Sequence, residues 1–184
     1  MLAAIVVTGQ PHVTWWKGSV VLADEEVMTG SIYYPRGFDL ISLQSGSQQV
    51  FLNASKVQQF RYFDSTARIN RRFVSLAGRR GHEFFEVVEM GKVMVLRKLK
   101  RYANTQHPDE VESYHYFTWT NGNLRPLIRF RNQVYPRLVE EHPDEIRQYV
   151  RHERLNPSTM RAALLIIHEY NRIQFAAQEI HARN

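Results

Sequence analysis

Tyr114-His-Tyr-Phe-Thr-Trp-Thr-Asn-Gly-Asn-Leu-Arg-Pro-Leu127 is where this chain changes rhythm. Its first half reads as a strand of aromatic and β-branched residues. Asn121-Gly122 then gives the strongest short hairpin signal, because both residues accept the backbone of a tight two-residue turn. Before this stretch, short strand-like runs alternate with turn signals. After Leu127 the apolar residues fall at helical spacing to the end of the chain. The pattern predicts an α+β chain: an antiparallel β-barrel-like or sandwich unit over residues 13–127, followed by a C-terminal tail of two to three helices over residues 128–184.

Four further pairs of strand-like runs precede that hairpin. Val20 to Leu22 and Val27 to Tyr34 flank Asp24-Glu-Glu26, and Leu40 to Leu43 and Val50 to Leu52 flank Ser45-Gly-Ser47. Gln59 to Phe63 and Phe73 to Leu76 lie either side of Asp64-Ser-Thr66. Phe84 to Met90 and Val93 to Leu99 meet at Gly91-Lys92. No long helix separates these runs, so parallel βαβ units are not expected. The polar stretch 103–112 reads as a mobile loop.

In the tail, Val134, Leu138 and Val139 mark a short helix with Pro136 in its first turn, and Pro143-Asp-Glu145 starts a second. Asn156-Pro-Ser158 is expected to cap the last helix, with Pro157 in its first turn. The Ala162 to Ile167 stretch is apolar nearly all round and predicts burial against the sheet or a partner.

Of 184 residues, 43% are hydrophobic and 23% charged, as in an ordinary globular protein, and cysteine is absent. Disulfides, thiolate nucleophiles and Cys-based zinc sites are thereby excluded. No run approaches the ~20 apolar residues that a membrane helix requires. Met1-Leu-Ala-Ala-Ile-Val-Val7 followed by Thr8-Gly9 resembles the end of a secretory apolar region, so residues 1–12 are read as a signal-peptide remnant; an ordinary first strand is the alternative.

The formal charge of +6 is concentrated. Between Arg68 and Arg101 stand ten Lys/Arg and three Glu, so the rest of the chain is nearly neutral. Arg71, Arg72, Arg79, Arg80, Arg97, Lys98, Lys100 and Arg101 are therefore the candidates for gripping an anionic partner, whether an envelope surface or a nucleic acid. The same charges also suit a solvated sheet face. Trp15-Trp16 is the candidate aromatic platform for a ligand, against the alternative that it seals the end of the β unit.

No catalytic, cofactor or metal residue is assigned. His82-Glu-Phe-Phe-Glu86 lacks the second histidine of a zinc helix and reads as strand. Ser45-Gly-Ser47 lacks the strand, elbow and helix of a hydrolase nucleophile.

The hairpin Gly18-Ser-Val-Val-Leu-Ala-Asp24…Gly30-Ser-Ile-Tyr-Tyr34 resembles one found in exported, uncharacterised proteins of Bacteroidota-type bacteria. The resemblance continues at Phe84-Phe-Glu-Val-Val88…Gly91…Leu96-Arg97, at Tyr116…Asn121-Gly122…Leu124, and at the final Tyr170-Asn171. In that family the first turn usually carries Asp-Gly, where this chain has Asp24-Glu25, and a full signal peptide usually leads the chain. The resemblance implies an envelope location and no known activity. The expected function is therefore an exported, non-catalytic envelope protein that binds through its sheet or aromatic surfaces. A cytoplasmic nucleic-acid module using residues 68–101 and a hydrolase whose site forms only on folding are the alternatives.

Overall fold

The structure, a computed structural model, describes residues 14–78, 81–100 and 113–182. The signal-remnant, the 103–112 loop, Arg79, Arg80 and Arg101 lie outside the described residues.

Ten strands form one antiparallel sheet: β1 Trp16–Leu22, β2 Val27–Tyr33, β3 Leu40–Ser45, β4 Gln48–Asn53, β5 Val57–Asp64, β6 Ile69–Gly78, β7 Gly81–Glu89, β8 Met94–Leu99, β9 Tyr114–Thr120 and β10 Asn123–Pro126. Their order is β10-β9-β8-β7-β6-β5-β1-β2-β3-β4, and the sheet is open, with β10 and β4 at its edges. Every hairpin expected from the turn residues forms. The non-local step is β1 against β5, where a Cβ at Gly18 would collide with the Arg61 carbonyl oxygen; Gly30 on β2 gives the same close approach to the Gln44 carbonyl on β3. At the first turn Glu25 holds a φ of 72°, the left-handed backbone that a glycine would adopt without strain.

Register explains the core. Val20, Phe60, Phe73, Glu86, Arg97 and Tyr116 stand opposite one another in turn across six strands, so they share one face. Along that row the chemistry passes from apolar to charged to aromatic. On one side, Val20, Ile32, Ile41, Leu43, Phe60 and Phe73 form a core inside the curled half of the sheet. Phe60 stacks on Phe73 at 4.5 Å, and Tyr34 meets both edge-on.

On the other side, Val95, Tyr114 and Tyr116 take the helical tail. The tail comprises α1 Phe130–Gln133, α2 Tyr135–Glu141, α3 Pro143–His152 and α4 Met160–Ala182. It docks on the sheet of its own chain, burying Ala162, Ala163, Ile166, Ile167 and Tyr170. The expected start of the last helix needs correction. Thr159 Oγ1 accepts from Ala162 N at 3.3 Å and is the cap, while Asn156 Oδ1 accepts from Ser158 N in a separate turn that holds Pro157 ahead of the helix. No helix among the described residues is long and apolar enough to cross a membrane.

Trp16 stacks on Tyr62 at 4.8 Å and packs against the first core, and burial pushes the Tyr62 phenol up to about 12. The Tyr62 hydroxyl is buried without a hydrogen-bond partner among the described residues. Tyr62→Phe is therefore expected to leave stability unchanged or raise it by up to ~1 kcal/mol, because an unpaired buried hydroxyl costs free energy. A fall in thermal midpoint beyond error would show that the hydroxyl has a bonded role.

Candidate functional site

The basic candidates do not converge. Arg71 and Arg97 project on the inner face, whereas Arg72 and Lys98 project on the outer one, because residues adjacent along a strand point opposite ways.

Arg71 is buried at 2% exposure between two carboxylates: its Nε donates to Asp64 Oδ2 at 2.7 Å and its Nη1 to Glu86 Oε1 at 2.7 Å. Arg97 closes the other side of Glu86 with a two-pronged fork, 2.9 Å on each oxygen, and lies 4.2 Å over the Tyr114 ring. Arg36 adds a contact of 3.3 Å to Asp64. Burial pushes the Asp64 carboxyl up, but the Ala67 amide and the Arg71 and Arg36 guanidiniums outweigh it and hold the group below its usual range. This seam fills the gap between the two cores, and the cavity beside it has about 10 Å³, room for a single water at most. It is internal wiring rather than an open anion site.

Lys98 is held on the outer face by Asp39 at 3.0 Å and Glu83 at 2.9 Å. Arg72 lies half-buried beside Arg61 and Ser19, and Lys100 is half-buried at the end of β8. Trp15 and Trp16 take different neighbours, Trp15 tilting against Tyr33 at 5.8 Å, so they present no joint platform. His82 makes a contact of 3.3 Å with Ser75 Oγ, and Glu86 is committed to the two arginines.

Two features that sequence reading did not single out meet where the tail joins the sheet. The first is a clamp. Asn171 Oδ1 accepts from Val93 N at 3.0 Å, and its Nδ2 donates to Val93 O at 2.8 Å and to Glu89 Oε1 at 3.0 Å. The carboxamide thus pairs with a strand backbone as another strand would. Gly91 makes room for it, since a Cβ there would run into the Asn171 side chain. The two motif positions, Gly91 and Asn171, are one contact.

The second is a cleft of about 80 Å³ between the β8–β10 end of the sheet and helices α2 and α4. Lys92, Arg125 and Arg137 line it against one carboxylate, Glu141. Glu141 is already taken. Its Oε2 accepts from Lys92 Nζ and from the Tyr170 hydroxyl, each at 2.6 Å, and from Gln174 Nε2 at 3.4 Å. The Lys92 and Tyr170 bonds hold the carboxyl below its usual range, while burial and then Glu141 push the Tyr170 phenol above its own.

Arg125 donates to the Gln133 carbonyl at 3.3 Å, which fixes its head, and the hydroxyl residues Thr118 and Thr120 complete the wall. Arg137 makes no ion pair among the described residues and lies exposed at the mouth. The cleft therefore carries a surplus of donors, suited to an oxyanion, and its carboxylate is too well satisfied to act as a base. These cations come from a turn, a strand and a helix, and no spacing in the sequence connects them.

No protein-family model matches this chain, and neither the curated proteins nor the solved structures contain a match.

Proposed function

We propose that this chain is an exported, non-catalytic envelope protein that binds a small oxyanion, a carboxylate or phosphate group, in the cleft between sheet and tail. The observation that carries the reading is the donor surplus there: three cations and two hydroxyl residues surround a carboxylate already saturated by Lys92 and Tyr170. The uncommitted guanidinium of Arg137 supplies the forked donor geometry that such groups favour. The apolar start of the chain and the family resemblance support export.

The test is the thermal midpoint of the full chain in inorganic phosphate against chloride at matched ionic strength. A ligand at about 100 times its Kd stabilises by about 2.7 kcal/mol, which corresponds to roughly 5–10 °C for a chain of this size. The expected result is a saturable rise with phosphate that Arg137→Gln removes. No rise, or an equal rise in the variant, would sink the ligand reading. Export is checked separately by the intact mass of the protein from fractionated cells. An envelope product trimmed near Gly9 supports it, and an untrimmed cytoplasmic product overturns it.

A further inference from the structure

The two edges of the sheet are treated differently. β10 has four residues, carries Arg125, ends in Pro126 and runs directly into the tail, all devices that keep an edge from pairing. β4, Gln48-Gln-Val-Phe-Leu-Asn53, has six residues and none of these protections. It pairs with β3 on one side and ends the sheet on the other.

Charge singles out the same place. Residues 40–55, which include all of β3 and β4, hold no charged side chain, in a chain with 24 basic and 18 acidic residues. Phe51 stands 66% exposed on the outer face of β4, while Phe38, ahead of β3, and Leu40, its first residue, are 66% and 40% exposed. Val50 and Leu52 point inward at the rim of the first core.

From this we infer that β4 is the pairing edge for a second copy of this chain, joined antiparallel about a two-fold axis. Two copies carrying +6 each repel through any basic surface, and the uncharged hairpin is where they approach at least electrostatic cost. A two-fold axis at a sheet edge necessarily sets the strand antiparallel to itself, the arrangement all its other pairings share. Centred on Phe51, the pairing sets Phe51 against its counterpart, Val50 against Leu52 and Gln49 against Asn53. Each inward residue then meets an inward one and the two cores join along their rims. The contact is independent of the oxyanion cleft at the other end of the sheet.

Sedimentation velocity of the full chain from about 1 to 200 µM is the test. The expected species is twice the 21.7 kDa of one chain. The double substitution Gln49→Lys/Phe51→Lys, which sets cations against their own symmetry mates, is expected to abolish it while circular dichroism stays unchanged and the thermal midpoint loses its dependence on protein concentration. Phe175→Lys, at an equally exposed phenylalanine on α4, is expected to leave the dimer intact. A second measurement does not depend on the lysine variants folding. Because the chain has no cysteine, Phe51→Cys provides a single thiol that a short bis-maleimide should link into a covalent dimer, and Phe175→Cys should not. A wild-type monomer throughout the range, or a dimer that survives the double substitution or responds equally to Phe175→Lys, overturns the inference.

Discussion

Arg71→Met is expected to lower the unfolding free energy by about 3–5 kcal/mol, the cost of removing one partner from a buried ion pair. Arg71 stands between Asp64 and Glu86, and without it two carboxylates face one another in a space closed on both sides by packed side chains. The wild-type seam is not thereby a large source of stability, because desolvating its charges offsets most of their attraction. The loss in the variant comes from the carboxylates left behind.

That distinction has a signature in pH. Asp64 has a folded pKa below its unfolded value near 3.9, so its contribution is whole above that value and is lost as pH falls toward the folded pKa. In Arg71→Met Asp64 keeps only Arg36 and its backbone donors, and Glu86 only Arg97, so the under-compensated carboxylates gain by taking up a proton. The difference between the two proteins should therefore narrow as pH drops from 7 towards 4. Urea denaturation at several pH values measures it, and a difference that stays constant or grows would show that the defect is one of packing rather than charge.

Asn171→Ala is expected to cost about 2–4 kcal/mol, because it strands the N–H and C=O of Val93, both buried and both paired with the lost carboxamide. For a chain of this size that corresponds to roughly 10 °C in thermal midpoint. Asn171→Asp keeps the shape but sets a carboxylate oxygen against the Val93 carbonyl and Glu89, and should be worse than alanine. If the aspartate variant matches the wild type, the clamp is not what holds α4 to the sheet. Hydrogen exchange locates the effect: both variants should lose protection first in α4 and at the β7–β8 turn.

What the sequence shows plainly is whatever is decided locally. Asn121-Gly122 fixes a hairpin by its own backbone preference, with φ of 48° and 77°, and the strands beside it follow. The docking of Ala162 to Ile167 was legible too, because a run with no polar face has to be covered. The β1–β5 pairing was not, since strands far apart in sequence leave no local trace of their register. Nor was the fate of Arg71. Its partners lie 7 and 15 residues away on neighbouring strands, and a cation on an alternating strand looks the same whether it faces water or a buried carboxylate. The cleft is harder still, because Lys92, Arg125 and Arg137 meet only when the tail folds back. Thr159 displaced Asn156 as the cap because both are good cap residues three positions apart, and the choice depends on where α4 must begin to seat its apolar face.

The Asn171 clamp reaches back 78 residues to Val93, and this long reach orders events in time. A chain threading out of a ribosome presents β8 and β9 long before α4 emerges. Until then Tyr114, Tyr116 and Val95 have no cover, and Val93 has no partner for its amide. The sheet can be laid down strand by strand, but its second half stays unfinished until α4 arrives. A protein built this way is pliable through most of its synthesis and sets hard only when Asn171 reaches Val93.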